Sequence, residues 1–138
     1  MTTAVNPHRL RWILAKALET PHTRHAILFS ADGLLMAHSE DIGRDDADTA
    51  AATLAGLQSL ARNTAALCGN APTQWRQSIN EFDGGYVLLM AAGTGAYVAV
   101  SATEQVKLAD LTFGLQDVVQ RLGQELTSPP RQDTGSPA

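Results

Sequence analysis

The 138-residue chain contains one cysteine, Cys68. An intrachain disulfide is therefore impossible, and a cysteine-rich zinc site is not expected. No apolar run approaches the roughly 20 residues that span a bilayer, so no direct membrane insertion is expected. The opening residues, MTTAVNPHRLRW, lack the apolar segment of about 7–15 residues that a signal peptide places after its basic residues. A cytoplasmic protein is the simplest expectation. Basic residues are also short, with 10 Lys and Arg against 14 Asp and Glu and a net charge of -4. That balance argues against nucleic acid and anionic membrane as partners, since both call for basic patches.

Catalytic motifs are missing too. There is no G-x-x-x-x-G-K-[ST] phosphate loop and no G-x-S-x-G elbow. Gly84-Gly85 and Gly93/Gly95 do not lead from a strand directly into a helix, so they read as hairpin turns. His8, His22, His25 and His38 are scattered. His25 and His38 could face each other across a hairpin, but two histidines without a third ligand make a poor metal site. Asp45-Asp46-Ala47-Asp48 lacks the alternating ligands, central Gly and terminal Glu of a calcium loop. It reads as acids at a helix start, where the dipole favours them. Cys68 falls at an expected helix C-terminus, which disfavours a thiolate, so a small core residue is expected there. Neither enzyme activity, nor a cofactor, nor a metal is expected.

What is present suits one folded domain over residues 7–127. The hydrophobic fraction of 44% is ordinary, and a domain of this size buries roughly two-thirds of its unfolded surface. Residues 1–5 are expected to be loose. Residues 128–138 have almost nothing to bury and are expected to form a disordered tail.

Asn6-Pro7 reads as a helix start, and Leu10, Ile13, Leu14, Ala17 and Leu18 form its apolar stripe. Thr20-Pro21 stops it. His25–Ser30 and Leu34–Ser39 read as a hairpin around Ala31-Asp32-Gly33. Asp45–Leu67 is the longest helical stretch, with Leu54, Leu57, Leu60, Ala61 and Leu67 expected as its apolar face. From Thr49 through Ala61 it carries no charge and mostly small side chains. A helix with one face in water usually carries charge there, so this one is expected to be covered on more than one side.

Residues 74–101 then read as three strands separated by Asp83-Gly84-Gly85 and Gly93-Thr94-Gly95. Tyr86–Ala92 and Ala96–Val100 are almost wholly apolar, which implies cover on both faces. Trp75–Phe82 is more polar and reads as the sheet edge, an open row of backbone donors and acceptors. Trp75 itself fits two readings, an aromatic packed beneath a helix or an anchor at a protein interface. Val106–Leu126 is a final amphipathic helix. The order α-β-β-α-β-β-β-α predicts an α+β fold, a five-stranded antiparallel sheet sandwiched by helices.

Three stretches carry a family resemblance: HAILFSADGLL at residues 25–35, DDAD at 45–48 with GLQSLA at 56–61, and FDGGY at 82–86. Over residues 8–127 the chain resembles the Roadblock/LC7 family, especially stand-alone actinobacterial proteins encoded beside small Ras-like GTPases. The resemblance implies a homodimer that joins the third strands of two subunits into one sheet and sets the long helices side by side. On that basis the dimer-interface candidates are Trp75, Gln77, Ser78, Ile79, Ala52, Ala55, Gly56 and Ser59. It further implies that the helix-bearing face binds a small Ras-like GTPase, with Thr49, Thr53, Arg62 and Asn63 as contact candidates. A sensor histidine kinase of the same operon is a further implied partner. The residues themselves leave a second reading open, a small-molecule-sensing α+β domain with a pocket between sheet and helix.

Overall fold

The structure is a computed structural model and describes residues 6–127. The expected loose N-terminus and disordered tail lie outside the described residues. Helix α1 (Pro7–Ala15) begins as its sequence indicates: the Asn6 side chain accepts hydrogen bonds from the backbone N–H groups of His8 and Arg9. It tightens into a 3₁₀ segment, Lys16–Glu19, before Pro21. Strands β1 (Thr23–Ser30) and β2 (Leu35–His38) follow, then helix α2 (Arg44–Arg62) and a second 3₁₀ segment, Asn63–Cys68. Strands β3 (Gln77–Phe82), β4 (Gly85–Ala91) and β5 (Ala96–Thr103) lead to helix α3 (Leu108–Thr127).

All pairings in the five-stranded sheet are antiparallel, and the strand order is β2-β1-β5-β4-β3. The expected α+β architecture is what the chain adopts, with β3 at one edge. The turn glycines Gly33, Gly93 and Gly95 have positive φ, a conformation open to glycine at little cost. Gly85 is constrained by space as well. A Cβ there would lie 2.0 Å from the carbonyl oxygen of Ala102, so the β3–β4 hairpin closes onto β5 only with glycine at that position.

Strand alternation sends each strand's side chains to two faces. Ala26, Leu28, Leu88, Met90, Val98 and Val100 face one way and meet α1 and α3 through Leu10, Ile13, Leu14, Leu111, Leu115, Val118 and Leu122. Ile27, Phe29, Leu89, Tyr97 and Ala99 face the other way and meet Ala47, Ala51 and Ala55 of α2.

Three expectations are corrected here. Helix α2 starts at Arg44 with Gly43 as its N-cap and without a side-chain capping bond. The start lies one residue before the expected Asp45, and Asp45 and Asp46 occupy the first turn, where they meet the dipole. The helix also ends at Arg62, and no residue of the following 3₁₀ segment is buried. Cys68 is consequently exposed instead of being a core residue. Finally, the buried face of α2 is Ala47, Ala51, Ala55 and Gln58. Leu54 and Leu57 flank it, while Leu60 and Leu67 are 68% and 88% exposed. Alanines let the helix lie close to the sheet, which turns the larger side chains outward.

Candidate functional site

β3 pairs with β4 alone. Its outer row of backbone groups therefore has no strand beside it, over six residues from Gln77 to Phe82. The opposite edge strand, β2, is four residues long, and all four are partly buried. The register gives β3 two unlike faces. Gln77 and Ile79 stand opposite Met90 and Leu88, on the side of α1 and α3, while Ser78 stands opposite Leu89 on the side of α2. Gln77 and Ser78 are half-buried, and Ile79 is 43% exposed.

Trp75 precedes the strand instead of belonging to it. Its ring centroid lies 5.9 Å from that of Tyr97, and its Nε1 donates to the Ser78 hydroxyl. Tyr97 in turn stacks on Phe29 at 5.8 Å. Trp75 thus extends the α2-side core toward the open edge, where α2, packed mainly on β1 and β2, does not reach.

On α2 the structure separates the candidates by face. Thr49, Ala52, Thr53, Gly56, Ser59 and Asn63 are exposed. Ala55 is buried beneath its own helix and offers no surface to a second chain. The outer face between Thr49 and Leu60 is uncharged and carries Leu60 as an exposed apolar group. Arg62 is exposed, but its Nη1 donates to Tyr97 Oη and to Gln58 Oε1. Gln58 is buried and donates to the carbonyl of Ala55. Neither Leu60 nor Gln58 stood among the candidates from sequence. Leucine at position 60 reads as part of the buried side, and Gln58, one of two polar residues in GLQSLA, gives no signal of its anchoring role.

The approach to α2 is held by a polar cluster. The Ser39 hydroxyl accepts from Ala26 N and donates to Asp41 Oδ1, and His25 Nδ1 lies 3.2 Å from the same carboxylate oxygen. Burial is the largest influence on Asp41 and opposes its charge, but the neighbouring His25 imidazole and the bond from the Ser39 hydroxyl together outweigh it and hold the carboxyl below its ordinary value. His38 stands opposite Ile27 and bonds the Ser39 carbonyl through Nδ1. Among the described residues no group of three or more His, Cys, Asp or Glu could hold a metal, and no helix is long and apolar enough to cross a membrane.

A surface of this kind can pair backbone with an added strand and bury small and apolar side chains against another helix. The family model described as Roadblock/LC7 domain matches residues 11–102. Comparison with curated proteins gives no match. Among solved structures the chain is similar to a Roadblock/LC7 domain from Streptomyces avermitilis, at 29% identity, covering 86% of this chain and 98% of that one with a TM-score of 0.78. It shares its fold with the gliding protein MglB from Thermus thermophilus, at 20% identity, 91% and 93% coverage and a TM-score of 0.76. It shares it also with MglB from Myxococcus xanthus, at 13% identity, 88% and 97% coverage and a TM-score of 0.78.

Proposed function

The chain belongs to the Roadblock/LC7 domain family, and from that premise we propose that it is a non-enzymatic, homodimeric regulator or adaptor of a small Ras-like GTPase in a bacterial signalling system, working in the cytoplasm. One observation carries the reading: on the α2 side the sheet runs out to a six-residue edge strand that no helix covers, and the outer face of α2 over β1 and β2 is uncharged.

The dimer follows from two unmet requirements. An exposed edge strand invites another strand, and a second copy supplies one with the same register preferences. The outer face of α2 joins small side chains (Ala52, Gly56, Ser59) to an exposed Leu60, a composition suited to close helix contact. A two-fold interface uses each residue twice, so a modest patch reaches the roughly 2,000 Å² typical of obligate dimers. Ile79 adds an apolar contact on the opposite face of the strand.

Two copies of α2 side by side then form a platform on which Thr49, Thr53 and Asn63 are accessible polar contacts. Regulation from such a platform is conformational: a bound partner has its switch segments ordered or released by contact. Arg62 is not assigned as an arginine finger: its Nη1 is bonded to Tyr97 and Gln58, which holds the guanidinium close to its own subunit. It contributes to the platform as a fixed donor at the rim.

The test is complex formation with small Ras-like GTPases of the same genome, loaded with GDP or with a non-hydrolysable GTP analogue. A complex with at least one of the two forms is expected, and Thr53→Arg should weaken it without changing the protein's unfolding midpoint. Failure to bind in both nucleotide states would reject the GTPase assignment while leaving the dimer to be judged separately.

A further inference from the structure

A groove of about 1020 Å³ lies where the end of α2 overhangs the β4–β5 turn. Arg62, Asn63, Gln74, Trp75, Tyr97 and the Gly93-Thr94-Gly95 turn are among the residues that line it, and no carboxylate does. At the far end of β4 a second opening carries the opposite character, lined by Glu81, Asp83 and Glu104 with Phe82 and Tyr86.

The groove's cation is built in. Among the described residues Arg9, Lys16, Arg44 and Arg121 each pair with a carboxylate, whereas Arg62, like Arg11, Arg24, Arg76 and Lys107, has none within ion-pair distance. The partners of Arg62 are neutral: the Tyr97 hydroxyl and the Gln58 amide oxygen, both on side chains only 4% exposed. Tyr97 is fixed between Phe29 and Trp75. The guanidinium is therefore oriented by buried groups while its charge has no counterion among the described residues. A guanidinium has five donors in a planar fork, and an oxyanion is the ligand that fits that fork. Beside it, Trp75 is half-buried with its indole N–H committed to Ser78, which fixes an aromatic surface in the groove wall. The amides of Asn63 and Gln74 supply neutral donors and acceptors.

We propose that this groove binds a small phosphorylated ligand bearing a planar ring, of the mononucleotide class, with its phosphate on Arg62 and its ring along Trp75. The volume is at the upper end of the usual range for small-molecule sites, so a ligand of this size fits with room for water. The groove is lined by the single chain, although it shares Trp75 with the proposed dimer interface and Arg62 and Asn63 with the proposed GTPase contacts. Because Arg62 and Trp75 adjoin the open helix and the open strand, an occupant would bear on both surfaces.

The test uses the full chain with Trp12→Phe, so that Trp75 is the sole indole reporter, and titrates GMP, AMP, guanosine and inorganic phosphate separately. At least one mononucleotide should quench Trp75 with a Kd below about 1 mM. Guanosine and inorganic phosphate alone should each bind at least about tenfold more weakly, and Arg62→Gln should cost about tenfold or more, the equivalent of one charged hydrogen bond. Arg62→Lys, which keeps the charge but loses the fork, should fall between, and added salt should weaken binding to wild type more than to Arg62→Gln. Unchanged unfolding midpoints in these variants show that the site alone was altered. No quenching by either mononucleotide at millimolar concentration, or equal binding by Arg62→Gln, overturns the proposal, as does phosphate binding as well as the nucleotides.

Discussion

The two faces of the sheet are finished to different degrees. On one, α1 and α3 together press leucine, isoleucine and valine side chains onto the strands, and Leu14, Leu28, Leu88, Leu111 and Leu122 are fully buried. Each such side chain contributes roughly 1.5–3 kcal/mol of burial. On the other, a single helix is applied through Ala47, Ala51 and Ala55. Close contact replaces bulk there, the helix sits mainly over β1 and β2, and its leucines are left at the flanks or in water. One face is complete within the chain; the other ends at an open strand and an uncharged helix surface. The lesson is that a small protein can secure its stability on one side and keep the other for a partner.

The largest expected effect breaks the finished face. Leu115→Ala should cost about 2–5 kcal/mol through lost burial and a residual cavity. Urea denaturation should report this at every protein concentration. Ala51→Leu attacks the other face from inside. It should cost about 1–3 kcal/mol by lifting α2 from Phe29 and Tyr97, with loss of self-association alongside loss of stability. Leu60→Asp separates the two effects. At an exposed position it should change subunit stability by no more than about 0.5 kcal/mol, yet sedimentation should show a weaker dimer. A Leu60→Asp protein that self-associates like wild type would place the outer face of α2 outside the interface.

The smallest effect concerns the approach to α2. The folded pKa of Asp41 lies below its ordinary value. Its contribution is therefore complete above the unfolded carboxylate pKa of about 3.9 and is lost as pH falls through the lower folded value. Asp41→Asn should remove that dependence. Asp41 is largely exposed, so after solvent screening the change should be about 0.5 kcal/mol or less. Urea midpoints at pH 7 and pH 3 compare the two proteins: wild type should lose slightly more than Asp41→Asn.

Much of this arrangement was legible in the sequence. Asn6-Pro7 announced its helix, Asp32-Gly33 its turn, and the polar stretch Trp75–Phe82 an edge strand, which the structure begins two residues later at Gln77, because each is a local pattern with a local physical cause. The inner face of α2 was not legible in the same way. Leucine is a stronger apolar signal than alanine, so Leu60 and Leu67 were expected inside. The sheet instead selected Ala47, Ala51 and Ala55, since only small side chains allow the close approach, and that choice is tertiary. Cys68 went wrong for a related reason: the α-helix ends one turn and a half before it, and the 3₁₀ segment that follows faces water. The Arg62 groove was invisible from sequence. It assembles residues from the end of α2, the lead into β3, the β4–β5 turn and α3, and no spacing in the chain encodes their meeting.

The account rests on the claim that a second copy completes β3. Amide hydrogen exchange across Gln77–Phe82, followed over a hundredfold dilution series, tests it most directly. Outward amides of the strand should be protected at high concentration and lose that protection on dilution, while β1 and β5 stay protected throughout. Rapid exchange along the outer row of β3 at every concentration would contradict it.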